Sequence, residues 1–394
     1  RLLTREDVLG AIEALNEAAG SIGRLVNMDI SSLETLVPTV ATVGRFAQVG
    51  SYAGLIMEEG GADSLKKILS TLLNKCDDAD KQKALTPTVI MAMARLASSF
   101  DIDPSLGLDA LVHQAFAAGL GVKECLAYIK AVATRNEDSA NRLLADGTSL
   151  PNTLNALKLH GRNAKVARMA FETLGALGGY SSTCSVVAAS GAPQMVSDWL
   201  DDNMDTAKPG DVQAALECLN ALSATPTDAA GLTAIGANDL MKSLIVRFVQ
   251  DPDVPTPGVF CASLELMTTL GHDPDSVRKQ HADGLLRRVC KAAASDALIE
   301  DPAAMTALLN FFTHVITQCP ELKAELEGMG APALIMAAMN SNSTSESVLA
   351  AGAACLKALG VGPQLAMQAA AEVDRLAGIV EGASIVTQEM IDNL

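Results

Sequence analysis

The sequence predicts an all-α solenoid built from three-helix repeats, and three observations support this prediction. A glycine between two apolar helical stretches recurs seven times at intervals of 40 to 48 residues, a period typical of solenoids with two or three helices per unit. The chain is 49% hydrophobic but only 3% aromatic. No stretch shows the period-two alternation that indicates strands. At 394 residues the chain also exceeds the usual size of one core, a limit that stacked repeats avoid.

The repeating unit is clearest in the segment VAASGAPQMVSDWL, residues 187–200. A short helix is predicted to end at Gly191, where a Gly-Ala-Pro corner turns the chain into a second helix. Glycine suits such a corner because a sharp turn between helices often needs a positive φ. After each corner come an apolar helix, a loop, a helix rich in Ala, Leu and Met, and a short polar helix. The seven corner glycines are Gly61, Gly107, Gly147, Gly191, Gly236, Gly284 and Gly330.

The residues before the first corner are predicted to cap the solenoid. Thr4 is a candidate N-cap for a helix over residues 5–19, with acidic residues in its first turn. Gly20 and Gly23 are expected to break or bend this helix. Two shorter apolar segments follow, at residues 33–37 and 40–47. Residues 1–60 are therefore predicted to form an N-terminal cap and an atypical first repeat, since the ends of solenoids need capping.

Four loops are predicted inside the repeats. A polar loop at residues 74–82 precedes a helix over 88–97, and a loop rich in Ser and Asn covers 340–346. Insertions at 201–210 and 251–258 fall at equivalent places in neighbouring repeats, hence on one edge of the solenoid. That edge is either a contact surface or a place where longer loops cost little stability. The second interpretation is favoured.

The end of the chain is predicted to cap the last repeat. Helices are expected over residues 348–359 and 365–377, and no linker between domains is apparent. About seven repeats would span residues 61–362, and residues 363–394 would form C-terminal capping helices.

Two of the repeated segments, AASGAPQMVSDWL and DVQAALECLNALSA, resemble the armadillo repeat family. The resemblance covers residues 61–362 and rests on seven corners with the same order of helices after each. It implies a right-handed α-solenoid superhelix whose third helices line a concave groove. It also implies a protein that binds other proteins.

Armadillo proteins that hold extended peptides place Trp and Asn four residues apart on the third helix. At the Asn position this chain has Arg95, Ala131, Ala176, Ala221, Thr269, His314 and Ala358. At the Trp position it has Met91, Ala127, Glu172, Glu217, Glu265, Asn310 and Ala354. The ladder is absent, with Asn220 one residue out of place, so the resemblance is to the non-importin type.

One positive signal remains in the predicted groove. The same register position holds glutamate in three consecutive repeats and asparagine in the next. This row is a candidate receptor for basic side chains of a partner; the alternative is an ordinary solvated helix face, because Glu is a good helix former. The candidate partner-binding residues are Glu172, Glu217, Glu265, Asn310, Arg95, Thr269 and His314.

The formal net charge of −17 restricts the partners. Nucleic-acid affinity depends on Lys and Arg neutralising phosphates, so a nucleic-acid partner is not predicted. An anionic membrane surface is disfavoured for the same reason. The charge is compatible with a protein partner that carries basic segments, or with a role in solubility alone.

Cysteine usage and hydropathy bear on the compartment. None of the eight cysteines forms a CxxC pair, which favours free thiols in a reducing compartment. No apolar run reaches the about 18 residues of a membrane span. The expected location is cytoplasmic or cytoskeletal; because the chain begins at Arg1, a mitochondrial location after presequence removal is the alternative.

No motif indicates catalysis. The sequence lacks a Walker loop, HExxH and GxSxG, and its five histidines have no metal-ligand spacing. No catalytic residue, metal, cofactor or small-molecule substrate is therefore predicted. The favoured function is a non-enzymatic interaction scaffold. The alternative is a structural subunit of a large assembly, ciliary-cytoskeletal or organellar. An enzyme would need a buried, perturbed titratable cluster that the sequence does not display.

Overall fold

A computed structural model describes residues 4–25, 33–248, 256–282 and 284–360, and every regular element in them is helical. The chain forms two compact units, residues 1–192 and 193–394. Each unit is a stack of helical repeats. The all-α prediction is confirmed for the described part of the chain.

Unit 1 contains eleven described α-helices and one 3₁₀ turn, Pro104–Leu106. The helices are α1 (Arg5–Leu25), α2 (Leu33–Phe46), α3 (Gly50–Glu58), α4 (Gly61–Lys75), α5 (Ala79–Ser99), α6 (Leu108–Ala117), α7 (Val122–Ala133), α8 (Glu137–Ala145), α9 (Ser149–His160), α10 (Ala164–Gly178) and α11 (Ser181–Ala189).

Unit 2 begins one residue into its first helix and carries a second 3₁₀ turn, Pro320–Leu322. Its described helices are α12 (Ala192–Asn203), α13 (Pro209–Ala221), α14 (Pro226–Ala234), α15 (Ala237–Phe248), α16 (Pro257–Leu270), α17 (Pro274–Ala282), α18 (Leu285–Ala293), α19 (Asp296–Ile299), α20 (Pro302–Gln318), α21 (Lys323–Gly328), α22 (Ala331–Ser341) and α23 (Glu346–Leu359).

The glycine corners are present, with one correction. Six of the seven predicted corner glycines have φ between 66° and 91°, the left-handed region that disfavours a Cβ. At the first corner it is Gly60, with φ of 77°, that occupies this conformation. Gly61 is instead the first residue of α4, where an added Cβ would lie 2.6 Å from Ile56 Cγ2. Gly60 thus meets the conformational requirement of the corner, and Gly61 meets its packing requirement.

The third helices of successive repeats pack side by side and form the spine of each unit. In unit 1, α2 packs on α5, α5 on α7 and α7 on α10; in unit 2, α13 packs on α16, α16 on α20 and α20 on α23. Second helices such as α4, α9, α15 and α22 cover one side of this spine. The core-facing residues of α10 recur at helical spacing, and Val166, Ala170, Leu174 and Leu177 are all buried.

Hydrogen bonds link neighbouring repeats and join residues about one repeat period apart. Thr173 Oγ1 donates to the Leu126 carbonyl, 47 residues away, at 3.1 Å. Asn342 Nδ2 donates to the Ile299 carbonyl, 43 residues away, at 2.6 Å. Each bond joins a buried polar side chain of one repeat to the backbone of the repeat before it, which fixes the register of one repeat on the next.

Two boundary predictions near the N-terminus are wrong. Helix α1 runs through Gly20 and Gly23 without a break, and α2 is one helix that includes Pro38. Glycine in a helix costs only about 1 kcal/mol relative to alanine. Burial of Leu15, Ala19 and Ile22 on one face of α1 outweighs that cost. The predicted cap at Thr4 is confirmed, since Thr4 Oγ1 accepts from the Asp7 backbone N–H at 3.2 Å.

The predicted loop at residues 74–82 is also wrong, because α5 begins at Ala79 and continues through Pro87. The Asp78 side chain caps the helix by accepting the backbone N–H groups of Asp80 and Lys81. Of the insertion at 201–210, only residues 204–208 lie outside a helix. Residues 251–255 of the second insertion, the helix over 365–377 and the C-terminal caps at 363–394 lie outside the described residues.

Candidate partner-binding surfaces

All seven candidate residues lie on third helices. In unit 1, Arg95 is on α5 and Glu172 is on α10. In unit 2, α13 carries one candidate, and α16 and α20 carry two each: Glu217, Glu265, Thr269, Asn310 and His314. Glu172 belongs to unit 1, whereas Glu217 and Glu265 belong to unit 2, so the predicted glutamate row is divided between the two units.

Glu172 is neutralised within its own unit. Its two carboxylate oxygens accept from Lys130 Nζ at 2.7 Å and from Arg168 Nε at 3.0 Å. Partial burial alone would raise the pKa of Glu172, but the hydrogen bonds and charges of both cations outweigh burial and lower it. With two cations on one carboxylate, Glu172 is not available as an unpaired receptor for basic side chains.

Glu217 and Glu265 are different because both are exposed and neither pairs with a described cation. Glu217 accepts a hydrogen bond from the neutral Gln213 amide at 2.8 Å. Glu265 accepts one from the Cys261 thiol at 3.4 Å. Their helices, α13 and α16, are packed neighbours.

Three carboxylates act on the Cys261 thiol. Burial, the charge and hydrogen bond of Glu265, and the charges of Asp301 and Glu217 raise the pKa of this thiol to about 12. We call Glu217, Glu265 and Asp301, whose charges all act on the Cys261 thiol, the acidic cluster. Asn310 is exposed on α20, the helix that Asp301 caps by accepting the Ala304 backbone N–H.

Thr269 and His314 contribute to the contacts between repeats. Thr269 Oγ1 donates to Asn220 Oδ1 on the preceding third helix at 2.8 Å. His314 Nε2 lies 2.7 Å from the Gly271 carbonyl of the preceding repeat. Asn220, which is out of place for a peptide ladder, therefore bridges two repeats.

Arg95 lines an open pocket of about 250 Å³ on the third helices of unit 1. Pro87, Thr88 and Met91 of the same helix, and Glu124 of α7, also line it. The guanidinium of Arg95 forms no ion pair with a described residue.

One cluster has the residue types of a hydrolase but not the arrangement. His113 Nε2 lies 3.0 Å from Asp146 Oδ2 and 3.2 Å from Ser149 Oγ. The acid and the hydroxyl thus meet the same imidazole nitrogen, whereas a catalytic triad needs them on opposite nitrogens. Ser149 is fully buried, and Asp146 accepts the Ser149 backbone N–H at 2.9 Å. The cluster therefore caps α9 rather than presenting a nucleophile.

The described residues contain neither a metal-binding cluster nor a helix that could span a membrane. No group of three or more His, Cys, Asp or Glu side chains is placed to hold a metal ion. No helix there is long and apolar enough to cross a membrane.

Sequence reasoning missed the groups that distinguish the three glutamates. Arg168 lies four residues before Glu172, and Lys130 lies 42 residues before it, so helical spacing and the repeat period could have indicated both. Glu124 and Asp301 fall at other register positions and gave no signal in the alignment of repeats.

Comparisons with known proteins address the fold. No protein-family model and no curated protein matches the sequence. A solved structure of an engineered protein aligns over 98% of this chain and 97% of its own, at 14% identity and TM-score 0.61. A structure concerning a phosphorylation switch in the interaction between cadherin and β-catenin aligns over 89% of this chain and 69% of its own, at 16% identity and TM-score 0.64.

A designed armadillo repeat protein aligns over 64% of this chain and 99% of its own, at 16% identity and TM-score 0.49. At these identities the matches bear on the fold alone. The corner glycines, the packed third helices and the two fuller alignments lead to one conclusion: the chain has an armadillo-type repeat fold.

Proposed function

We propose that this protein is a non-enzymatic interaction scaffold and that the acidic cluster of unit 2 binds a basic segment of a partner protein. The observation that carries the proposal is the pairing of Glu217 and Glu265, two exposed carboxylates on neighbouring third helices without a described cation between them. Glu172, the third glutamate of the predicted row, is excluded because Lys130 and Arg168 neutralise it.

The spacing of the cluster favours an extended ligand. Packed helices lie about 8–10 Å apart, and an extended chain rises about 3.3 Å per residue. Two basic residues separated by two or three positions would therefore reach Glu217 and Glu265 together. Asp301 adds a third negative charge near the same thiol. Asn310 supplies an exposed amide that can donate or accept a backbone hydrogen bond.

The acidic composition supports the same class of partner. With a net charge of −17, the whole chain attracts cations, which speeds encounter with a basic segment at low ionic strength. One of the structurally similar chains belongs to a structure that concerns the interaction between cadherin and β-catenin, so this fold is compatible with protein binding in another protein.

Residues 1–60 would cap the stack, residues 61–362 would supply the repeats, and residues 363–394 would close it. No disulfide joins any of the eight cysteines, all of which lie in the described residues, and seven of them are buried; this supports a reducing compartment, cytoplasmic or cytoskeletal.

The test is a selection from a random twelve-residue peptide library displayed on phage, using the full chain as bait. Enriched peptides are synthesised, and their affinities are measured by fluorescence anisotropy at 50 and 300 mM salt. We expect peptides with paired Lys or Arg residues, and at least tenfold weaker binding at 50 mM salt by the Glu217→Gln/Glu265→Gln double variant. The difference should shrink at 300 mM salt, because exposed charges are screened.

The matched control is Glu58→Gln/Glu327→Gln, which removes two exposed charges from α3 and α21, outside the third helices. This control keeps the net charge equal to that of the test variant. If both double variants lose the same peptide affinity, the loss is explained by overall charge alone, and the acidic cluster is refuted as the binding site. Enrichment of peptides without basic residues would refute the partner class.

A further inference from the structure

The third helices of unit 1 hold a second surface, with different chemistry from the acidic cluster. The pocket of about 250 Å³ lies among α2, α5 and α7. Met91 of α5 and the small residues Ala41, Gly44 and Ala92 give it an apolar floor. A cavity of about 150 Å³ is enough to hold benzene, so this pocket has room for one leucine or phenylalanine side chain.

Close packing of two helices creates this floor. A Cβ added to Gly44 would lie 3.0 Å from the Cα of Ala92, so α2 and α5 are already in backbone contact there. A larger residue at either position would separate the helices or occupy the pocket. On the side of Gly44 and Ala92 the wall of the pocket is therefore fixed by backbone contact, which favours a defined shape there for a ligand group.

Two opposite charges line the pocket without neutralising each other. Arg95 of α5 and Glu124 of α7 both line it, yet they do not form an ion pair with each other or with another described residue. Arg95 offers the planar donor set that binds carboxylates in pairs of hydrogen bonds. Glu124 offers an acceptor for a cation or for a backbone N–H group.

We infer that this pocket receives a bulky apolar side chain from an extended partner segment, with an acidic residue on one side of it and a basic residue on the other. The apolar group fills the floor, the acidic residue meets Arg95, and the basic residue meets Glu124. The inference rests on the proposed scaffold function but assigns unit 1 a ligand pattern different from the paired basic residues expected at the acidic cluster.

The experiment uses the same displayed library on the full chain, followed by anisotropy with synthetic peptides. We expect an enriched class with a central Leu, Phe or Met flanked by opposite charges. The pocket-filling variants Ala41→Phe and Thr88→Phe should each weaken this class at least tenfold. Helical circular dichroism checks folding, and Ala145→Phe, at an exposed position of α8, is the matched control.

Charge exchange gives the sharper test. Arg95→Glu should weaken the class, and replacing the acidic residue of the peptide with Lys should restore the affinity to within threefold. Glu217→Gln/Glu265→Gln should leave this class unchanged.

Two results would overturn the inference. One is binding that both pocket-filling variants leave intact, and the other is failure of the charge exchange to restore affinity. If all enriched peptides depend on Glu217 and Glu265, the inference fails and the proposed function stands. If no peptide is enriched, both fail.

Discussion

Lys130 Nζ lies 2.7 Å from Glu172 Oε2, and this ion pair joins the third helices of two neighbouring repeats in unit 1. Arg168 holds the other oxygen of the same carboxylate at 3.0 Å. A residue that the register of repeats places in a binding row thus stabilises the stack instead. Its two equivalents in unit 2 have no such cations among the described residues.

The pairing predicts a pH-dependent loss of stability in Glu172→Gln. The pKa of Glu172 is lowered in the folded chain, so its contribution is present above the unfolded pKa and is lost as the pH falls through the folded pKa. At pH 7 the free energy of unfolding of the variant should be smaller by about 0.5–1 kcal/mol, which is the usual contribution of partly exposed ion pairs. The difference should disappear as the pH falls below about 4, the ordinary range of glutamate. Urea unfolding at pH 7 and pH 3 measures this, and a constant difference across that range would contradict it.

The acidic cluster predicts the reactivity of one cysteine. Cys261 is the only one of the eight cysteines that is not buried, but its pKa of about 12 keeps the thiol protonated at pH 8. Glu217→Gln/Glu265→Gln should lower that pKa and raise the rate of alkylation by neutral iodoacetamide roughly threefold or more. Mass spectrometry of the modified peptide gives the rate. Glu327→Gln serves as control, and an unchanged rate in the double variant would show that these carboxylates do not act on the thiol.

The corner glycines predict opposite effects for two substitutions two residues apart. Gly330 has φ of 82°, so Gly330→Ala should destabilise the chain by about 1 kcal/mol even though no atom lies within 4 Å of the added Cβ. Gly328 lies in α21 with ordinary helical φ and equally open space, so Gly328→Ala should stabilise by about 0.5–1 kcal/mol. Thermal unfolding of both variants decides the point, and effects of the same sign would contradict the conformational explanation.

The hydrogen bond that buried Asn342 makes to the preceding repeat should contribute to the stability of the chain. Asn342 is 5% exposed and donates to the carbonyls of Ile299 and Ala338. Asn342→Ala should cost about 1–3 kcal/mol, because the partly buried Ile299 carbonyl would lose its partner. Asn340, whose buried Oδ1 has no partner, supplies the control. Asn340→Ala should be nearly neutral, and an equal cost at both positions would argue against the role of the bond between repeats.

The fold was predictable because its signal is distributed over many residues. Seven corners repeat a single physical requirement, positive φ, and six of them fall at the glycine that the period indicates. The exception is the first corner. In the Gly60–Gly61 pair both residues need to be glycine, one for its φ and the other for its contact with Ile56, and the sequence alone does not assign these roles.

The site was less predictable because it depends on individual partners. Register placed Glu172, Glu217 and Glu265 on third helices, and they lie on α10, α13 and α16. Register could not show that only Glu172 meets two cations, because the lengths and rotamers of Lys130 and Arg168 decide that. The helix boundaries failed at Gly20 and Pro38 for a related reason, since tertiary packing overrides the local preference against helix.

The 3₁₀ turn at Pro104–Leu106 has a consequence for the modularity of the chain. Elsewhere in the described repeats a longer helix leads into the corner glycine, but here three residues do so before Gly107. If a whole repeat between two other corners is excised or duplicated, the new connection again joins a longer helix to a corner glycine, and packing at that connection should be kept. A cut at Gly107 would join the short 3₁₀ turn to a repeat that expects a longer helix, so variants of this chain should be shortened or lengthened at other corners.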